Sequence, residues 1–186
     1  WAAEHLETAV LAAGGCAAVL HTAPEWALAG PGPPAPIQVE SRAGAHTPAD
    51  AVDPRRPLAG VRVVDLTRVI AGPIATRFLA AYGADVVRID PPGFQEVPAL
   101  LPITTAGKRS AALDLRRPED RSRFEQLVQT ADVLVCGLRA DALAGLGYSA
   151  GVLHQLNPTL IDARLNAYGW SAPWYQRRGF DSLVQM

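Results

Sequence analysis

Short apolar runs without helical periodicity alternate with helix-forming stretches from residue 58 onwards. The first run, residues 61–66, leads into Gly72-Pro73 and a helical stretch that stops at Gly83. The next run, residues 86–89, closes at a Pro-Pro-Gly turn. A strand, a helix and a second strand in this order form a βαβ unit, whose two strands pair in parallel. This alternation constrains the fold more than any other feature of the sequence.

The same alternation continues to the end of the chain. Further strands are predicted at residues 110–115, 133–136 and 160–165. A helix starts at Pro118, and shorter helices are predicted around residues 141–146 and 150–156. The pattern therefore predicts an α/β fold with a doubly wound, mainly parallel, Rossmann-like sheet that binds its ligands at the carboxyl ends of the strands.

The first 56 residues follow a different pattern. Residues 1–30 predict a small α/β segment: a helix, a turn at Gly14-Gly15, a short strand and a second helix that opens at Pro24. Residues 31–56 are rich in proline and poor in large apolar side chains, which predicts a linker with one edge strand at residues 37–40. The main domain then runs over residues 57–186. Because the chain lacks a first Met and ends where a helix begins, we expect it to be part of a longer protein.

Composition excludes several classes of function. The formal net charge is -1, so no overall field attracts nucleic acid or an anionic membrane. Cys16 and Cys136 lie too far apart for a disulfide framework or a zinc motif, and no metal is expected. No spanning segment or signal peptide is evident, which favours the cytoplasm. Lys108, the only lysine, is interpreted as a reflection of arginine-rich composition, and Cys136 as a small buried hydrophobe.

The turn after the first strand argues against a dinucleotide. A Rossmann fingerprint needs three glycines there, because the backbone has to reach the pyrophosphate. Residues 67–73 contain only Gly72. Asp90 ends the second strand, where a ribose-binding acid would lie, but a strand-end turn residue is the favoured interpretation.

A series of motifs specifies the fold further. In chain order they are PLAGVRVVDLT (57–67), AGP (71–73), GADVVRID (83–90), GKRS (107–110), LDL (113–115), ADVLV (131–135), LNP (156–158) and RGFD (178–181). In this order they resemble the family III CoA-transferases, the group that includes formyl-CoA and carnitine CoA-transferases and the related methylacyl-CoA racemases. The preceding segment resembles a degenerate transferase-like tail found before this domain in longer members.

The resemblance implies coenzyme A or an acyl-CoA as substrate. It implies pantetheine contacts in the first turn, adenine and phosphate contacts at the exit of the third strand, and further contacts after the fourth. In this sequence those positions are Val69, Ile70, Ala71, Leu113, Arg116, Gly137 and Leu138. An arginine suits phosphate because its planar fork donates two hydrogen bonds, although Arg116 also suits a solvated turn.

Two positions depart from the family pattern. Many relatives carry a basic residue just after the second strand, where this chain has Pro91. Their Asn-Phe-x-Pro-Gly loop after the fourth strand is replaced by residues 137–141. Arg88 and Arg139 are candidates to compensate as phosphate partners, although a surface arginine is the favoured interpretation of each.

The resemblance also implies the chemistry. An aspartate carboxylate attacks the acyl-CoA thioester and passes through an aspartyl-CoA intermediate, so that CoA reaches a free carboxylic acid. The family position of that aspartate lies beyond Met186; Asp181 is a weak candidate that instead suits helix capping. We therefore expect this chain alone to be inactive, and the complete protein to be an intertwined homodimer.

Two alternatives stay open. A 2-methylacyl-CoA racemase would need an acid and base pair, and such relatives carry a histidine where this chain has Phe180. A non-catalytic CoA-binding or subunit-interaction module is the other. The sequence after Met186 would separate the three.

Overall fold

The structure, a computed structural model, describes residues 2–29, 37–41, 53–170 and 174–185. Internal contacts divide the chain into two compact units. The smaller contains the described parts of Trp1–Ser41, Arg139–Asp141 and Asn166–Met186; the larger contains those of Arg42–Leu138 and Ala142–Leu165. The boundaries drawn from sequence, at residues 30 and 56, stay a prediction; the contacts group Asn166–Met186 with the first 41 residues.

The larger unit is built on a five-stranded sheet in which every pair of neighbours is parallel. The strands are β1 (Arg62–Leu66), β2 (Asp85–Asp90), β3 (Arg109–Ala112), β4 (Val133–Cys136) and β5 (Ile161–Arg164). Their order is β3-β2-β1-β4-β5, so the chain winds outward from β1 to β3 and then returns to the other side of β1. The predicted parallel α/β sheet is confirmed, and its topological switch point lies between β1 and β4.

Both faces of this sheet are covered. The helices of the larger unit are α3 (Ala71–Ala81), α4 (Leu101–Thr104), α5 (Pro118–Thr130), α6 (Ala142–Gly145) and α7 (Ala150–Leu156). Phe124 and Val128 of α5 pack with Leu134 in one apolar cluster, and Val135 belongs to a second cluster with Leu79 of α3. Neighbouring strand residues point to opposite faces, so β4 contributes to both clusters. This arrangement is the doubly wound architecture that the alternation predicts.

The smaller unit contains α1 (Ala3–Ala12), α2 (Ala23–Ala29) and α8 (Asp181–Val184). The predicted opening of α2 is confirmed, and a reciprocal capping pair fixes it: the Thr22 N–H donates to Glu25 Oε2 at 2.8 Å and the Glu25 N–H to Thr22 Oγ1 at 3.4 Å. The ring centroids of Trp174 and Trp26 lie 5.1 Å apart. The guanidinium of Arg177 lies 3.6 Å from the centroid of the Trp174 ring. Aromatic contacts thus link α2 to the segment around Trp174 within this unit, although Trp26 stays partly exposed.

Several expected elements differ from the structure. Residues 15–22 and 37–40 form no strand, since neither segment has a neighbouring strand to pair with among the described residues. The third strand ends at Ala112 instead of residue 115, because the Asp114 N–H turns to Asp120 Oδ2 at 3.0 Å. Helix α4 was not predicted. Most of the proposed linker, residues 31–36 and 42–52, lies outside the described residues.

Among the residues that the structure describes, no helix is both long and apolar enough to cross a membrane.

Candidate functional site

Two loops meet at the switch point, at the carboxyl ends of β1 and β4. The turn after β1, residues 67–70, leads directly into α3, and residues 137–138 follow β4. The Gly137 N–H donates to the Leu66 carbonyl at 3.3 Å, which ties the two loops together. The structure therefore brings Val69, Ile70 and Ala71 close to the stretch that holds Gly137 and Leu138. Ligands of open parallel sheets bind in this kind of crevice.

The backbone of the first turn is strained. Val69 has a φ of 69°, the left-handed region that a β-branched residue rarely adopts. Its N–H donates to Glu96 Oε2 at 3.1 Å. The side chains of Val69 and Ile70 are 36% and 53% exposed. An apolar, solvent-facing turn is thus held in an unfavourable conformation, which is a feature of ligand sites.

Gly72 allows α3 to approach this turn closely. A Cβ at position 72 would lie 2.3 Å from the Thr67 Cβ and 2.4 Å from its Cγ2. Gly72 itself is buried. The single glycine of the turn is therefore a packing requirement between strand end and helix start, and it does not open a path for a pyrophosphate.

Below the turn lies a buried network around Asp65 and Lys108, both with fully buried side chains. Lys108 Nζ donates to Asp65 Oδ2 at 2.8 Å, to Thr76 Oγ1 at 2.6 Å and to the Pro73 carbonyl at 2.8 Å. Asp65 Oδ1 accepts from the N–H and the hydroxyl of Thr67 at 2.9 and 2.5 Å. All three ammonium donors are satisfied, so the network connects β1, α3 and the loop before β3.

The interpretation of Lys108 as a mere reflection of composition is therefore wrong. Three acceptors converge on its compact ammonium group, and a planar guanidinium cannot make that contact in the same space. Burial lowers the pKa of Lys108, and the hydrogen bond and charge of Asp65 oppose that shift only in part. The available signal was the isolated lysine itself, in a chain that otherwise uses arginine.

A second charged cluster lies beside the turn. The Arg88 side chain is 2% exposed; its Nε donates to Asp90 Oδ2 at 2.7 Å and its Nη2 to Glu96 Oε2 at 3.0 Å. Arg88 is thus buried and engaged by two carboxylates, so its favoured interpretation as a surface arginine is wrong, and its charge is already paired where the alternative has it meeting a phosphate. Asp90 also lies 3.7 Å from Arg68 Nε. Asp90 is therefore a paired strand-end residue, as the sequence favours.

The pKa of Glu96 reflects its position in this cluster. Burial alone would raise the pKa of this carboxyl group. Hydrogen bonds from the Val69 and Val97 N–H groups and from Arg88 outweigh burial and lower the pKa. Glu96 therefore stays ionised and accepts hydrogen bonds at neutral pH.

Leu113 and Arg116 follow the end of β3. In the sheet, β2 lies between β3 and β1, so these two residues are one strand away from the turn after β1. Leu113 is buried in the core, and its N–H donates to the Asp90 carbonyl at 2.9 Å. Arg116 is exposed, and its guanidinium donates two hydrogen bonds of 2.8 Å to the carboxylate of Asp114. These contacts lower the pKa of Asp114 to about 2. The structure places these two residues at one strand exit but does not bring them to the β1 turn.

The two remaining candidates lie elsewhere. Asp181 is the first residue of α8, in the smaller unit, and its carboxylate accepts from Gln185 Nε2 at 2.9 Å. Phe180 occupies the N-cap position and no side chain caps the helix, so of the two structural roles considered for Asp181, capping or packing, the capping role is wrong. Cys136 is 5% exposed, and burial raises the pKa of its thiol, which confirms a buried hydrophobe. Within the described ranges, no three His, Cys, Asp or Glu side chains gather as metal ligands.

Known proteins resemble this chain over its sheet-bearing part. Residues 58–186 match the sequence profile of CoA-transferase family III. The succinate–glutarate CoA-transferase of Agrobacterium fabrum is 35% identical over 154 residues, covering 73% of this chain and 38% of that protein. The succinyl-CoA–D-citramalate CoA-transferase of Chloroflexus aurantiacus is 32% identical over 142 residues, covering 70% of this chain and 35% of that protein.

A solved structure shows the same relationship. The crystal structure of a CAIB/BAIF family protein from Brucella suis superposes with a TM-score of 0.64 at 31% identity, over 70% of this chain and 39% of that one. The chain thus spans less than two fifths of each of these three relatives.

Proposed function

Because the chain belongs to the CoA-transferase family III, we propose that it forms the CoA-binding part of an enzyme that moves CoA from an acyl-CoA to a free carboxylic acid. Two of its relatives are named for CoA exchange between carboxylic acids, which supports this reaction class. The proposed substrates are an acyl-CoA and a carboxylic acid, and the proposed assembly is an intertwined homodimer of the complete protein.

The observation that carries the proposal is the turn at the β1/β4 switch point. It offers exposed apolar side chains at Val69 and Ile70 and has no glycine-rich path for a pyrophosphate. The pantetheine arm of CoA is long, largely apolar and interrupted by amides. Such a ligand fits an apolar turn with backbone hydrogen-bonding groups better than a dinucleotide does.

The residues proposed to contact CoA form two groups. The first is Val69, Ile70 and Ala71 with Gly137 and Leu138, at the switch point. The second is the exit of β3, where Arg116 offers an exposed guanidinium for a phosphate. Leu113 has a buried side chain, so its contact is assigned to the backbone at the end of the strand.

The proposed chemistry uses an aspartate outside these 186 residues. Its carboxylate attacks the thioester carbonyl and expels the CoA thiolate, which leaves a mixed anhydride. The thiolate then attacks the aspartyl carbonyl and releases the original acid. The acceptor carboxylate takes the place of that acid, and the two steps run in reverse. We assign to this chain the binding and orientation of CoA, with no activity of its own; Asp181 is a weaker candidate for the nucleophile.

Titration calorimetry of the 186-residue chain with CoA and with NAD tests the proposed ligand. We expect CoA to bind at least tenfold more tightly, since this turn lacks the glycine triplet that holds the pyrophosphate of a dinucleotide and offers instead an exposed apolar contact for the pantetheine arm. Tighter binding of NAD would contradict the proposal, and Asp90 would then become the candidate ribose ligand.

Replacing Arg116 with alanine is expected to weaken CoA binding about tenfold through the loss of a charge-assisted phosphate contact. Arg117→Ala is the matched control, because Arg117 is the exposed neighbour and pairs with Glu119. Dissociation constants at low salt provide the measurement. An equal effect of both substitutions would assign Arg116 to the solvated turn, with only a general electrostatic contribution.

A further inference from the structure

We infer that Glu96 is a positioning residue: its carboxylate, fixed by Arg88, holds the turn after β1 in the left-handed conformation required for ligand binding. The ligand side of this inference rests on the proposed function, and the conformational side does not. Neither Glu96 nor Arg88 belongs to the groups of residues proposed above to contact CoA.

The strain at Val69 needs a local cause. A valine with a φ of 69° persists only where its surroundings fix the backbone. The contact that does so comes from 27 residues further along the chain, where Glu96 Oε2 accepts the Val69 N–H at 3.1 Å. A long-range hydrogen bond to a charged acceptor therefore fixes the Val69 N–H, beside Arg68, whose guanidinium lies over the Phe94 ring and 3.7 Å from Asp90.

Glu96 is itself immobilised. Its side chain is 5% exposed, and the oxygen that accepts from Val69 also accepts from Arg88 Nη2 at 3.0 Å. Its other oxygen accepts from the Val97 N–H at 3.2 Å. Both carboxylate oxygens thus have partners, and the side chain cannot rotate without breaking a hydrogen bond to a charged group.

Arg88 connects this carboxylate to the rigid sheet. It lies on β2, where its Cα pairs with that of Asp65 on β1, and Asp90 holds its Nε at 2.7 Å. A continuous path of contacts runs from the sheet through Arg88 and Glu96 to the Val69 N–H. The turn is therefore anchored to the sheet at Val69, which like Ile70 is partly exposed to solvent.

The charged side chains of Arg88, Asp90 and Glu96 belong to neither apolar cluster of the core. The turn that it fixes is apolar and faces solvent at the switch point of the sheet. A turn fixed in advance loses less conformational freedom when a ligand binds. The role that fits the geometry is preorganisation of the ligand site.

The first test measures the turn without any ligand. In Glu96→Gln the side chain keeps an acceptor oxygen but loses the charge that Arg88 holds. We expect exchange of the Val69 amide hydrogen, followed by NMR, to become at least tenfold faster than in the unchanged chain. The matched control is Glu125→Gln, which removes a carboxylate that accepts from the Tyr148 hydroxyl at 2.9 Å. It should leave Val69 exchange unchanged.

The second test measures CoA affinity. Glu96→Gln is expected to bind CoA about tenfold more weakly. Because Val69 is itself a proposed CoA contact, the same change is also made in Val69→Gly, where glycine adopts a positive φ without the steric cost of valine. Glu96→Gln should weaken CoA binding less in the Val69→Gly background than in the unchanged chain, whereas a carboxylate that merely supported the fold would weaken it equally in both.

Each outcome has one meaning. Equal Val69 exchange in the unchanged chain and Glu96→Gln would overturn the inference, and so would an equal effect of Glu96→Gln on CoA affinity with valine and with glycine at position 69. Failure of the unchanged chain to bind CoA would defeat the proposed function alone, because the exchange test needs no ligand. If Glu96→Gln does not fold, the free energies of unfolding of Val69→Gly and Val69→Ala replace the exchange test. Val69→Gly should be the more stable of the two, and the reverse order would contradict backbone strain at position 69.

Discussion

Replacing Asp65 with asparagine is expected to lower the free energy of unfolding by about 3 to 5 kcal/mol, because it leaves the buried Lys108 ammonium group without its counter-charge. The carboxylate also accepts from the hydroxyls of Thr67 and Thr76 at 2.5 and 2.6 Å, and an amide cannot replace all of these contacts. Domains of this size are stable by only about 5 to 15 kcal/mol, so a large part of the total is at stake. Urea denaturation followed by circular dichroism gives the measurement.

A double-mutant cycle distinguishes the ion pair from general disruption. Lys108→Met removes the cation alone, and we expect it to be destabilising as well, since Asp65 then stays buried and unpaired. The double variant, Asp65→Asn with Lys108→Met, should be less destabilised than the sum of the two single changes. Strict additivity would show that the two side chains do not interact in the folded protein.

Replacing Gly72 with alanine should also be costly. The new Cβ would lie 2.3 Å from the Thr67 Cβ, so either α3 or the turn has to move. Overpacking of this kind costs about 1 to 3 kcal/mol, and occasionally more. Because the displaced turn is the proposed CoA site, we also expect CoA affinity to fall at least tenfold, through a misplaced ligand arm.

Gly151→Ala is the matched control for this substitution. Gly151 lies in α7, and its nearest contact for an added Cβ is the Ser149 hydroxyl at 3.9 Å, an ordinary van der Waals distance. An alanine there should be neutral or slightly stabilising. Thermal unfolding and CoA titration of both variants give the comparison. A Gly72→Ala protein as stable and as tight-binding as Gly151→Ala would show that the close approach has no consequence.

Hydrophobic periodicity predicts the central strands well because β1, β2 and β4 lie between two covered faces. The run at residues 133–136 matches β4 to the residue, and Leu134 and Val135 are buried on opposite sides of the sheet. Residues 15–22 show the limit of the method. A strand needs a partner backbone as well as apolar residues, and local sequence does not report whether a partner is present.

The site was predictable in position but not in its supporting contacts. The switch point follows from the order of the elements, and it indicates the turn at residues 67–71. The roles of Lys108 and Glu96 depend on contacts with residues 43 and 27 positions away, which no local pattern reveals. Arg88 illustrates the same problem, because an arginine on a strand is expected at the surface until its two carboxylate partners are known.

The burial of Lys108 also determines how this part of the protein tolerates its own proposed substrates. Thioesters acylate accessible primary amines, and lysine ε-amino groups are the usual targets of such modification. The one ε-amino group of this sequence has no exposed surface and makes three hydrogen bonds, while the other strongly basic side chains are arginines. An arginine guanidinium stays protonated at neutral pH and is a poor nucleophile. The folded chain therefore carries its exposed strongly basic charge on arginines and exposes no lysine that an acyl-CoA could acylate.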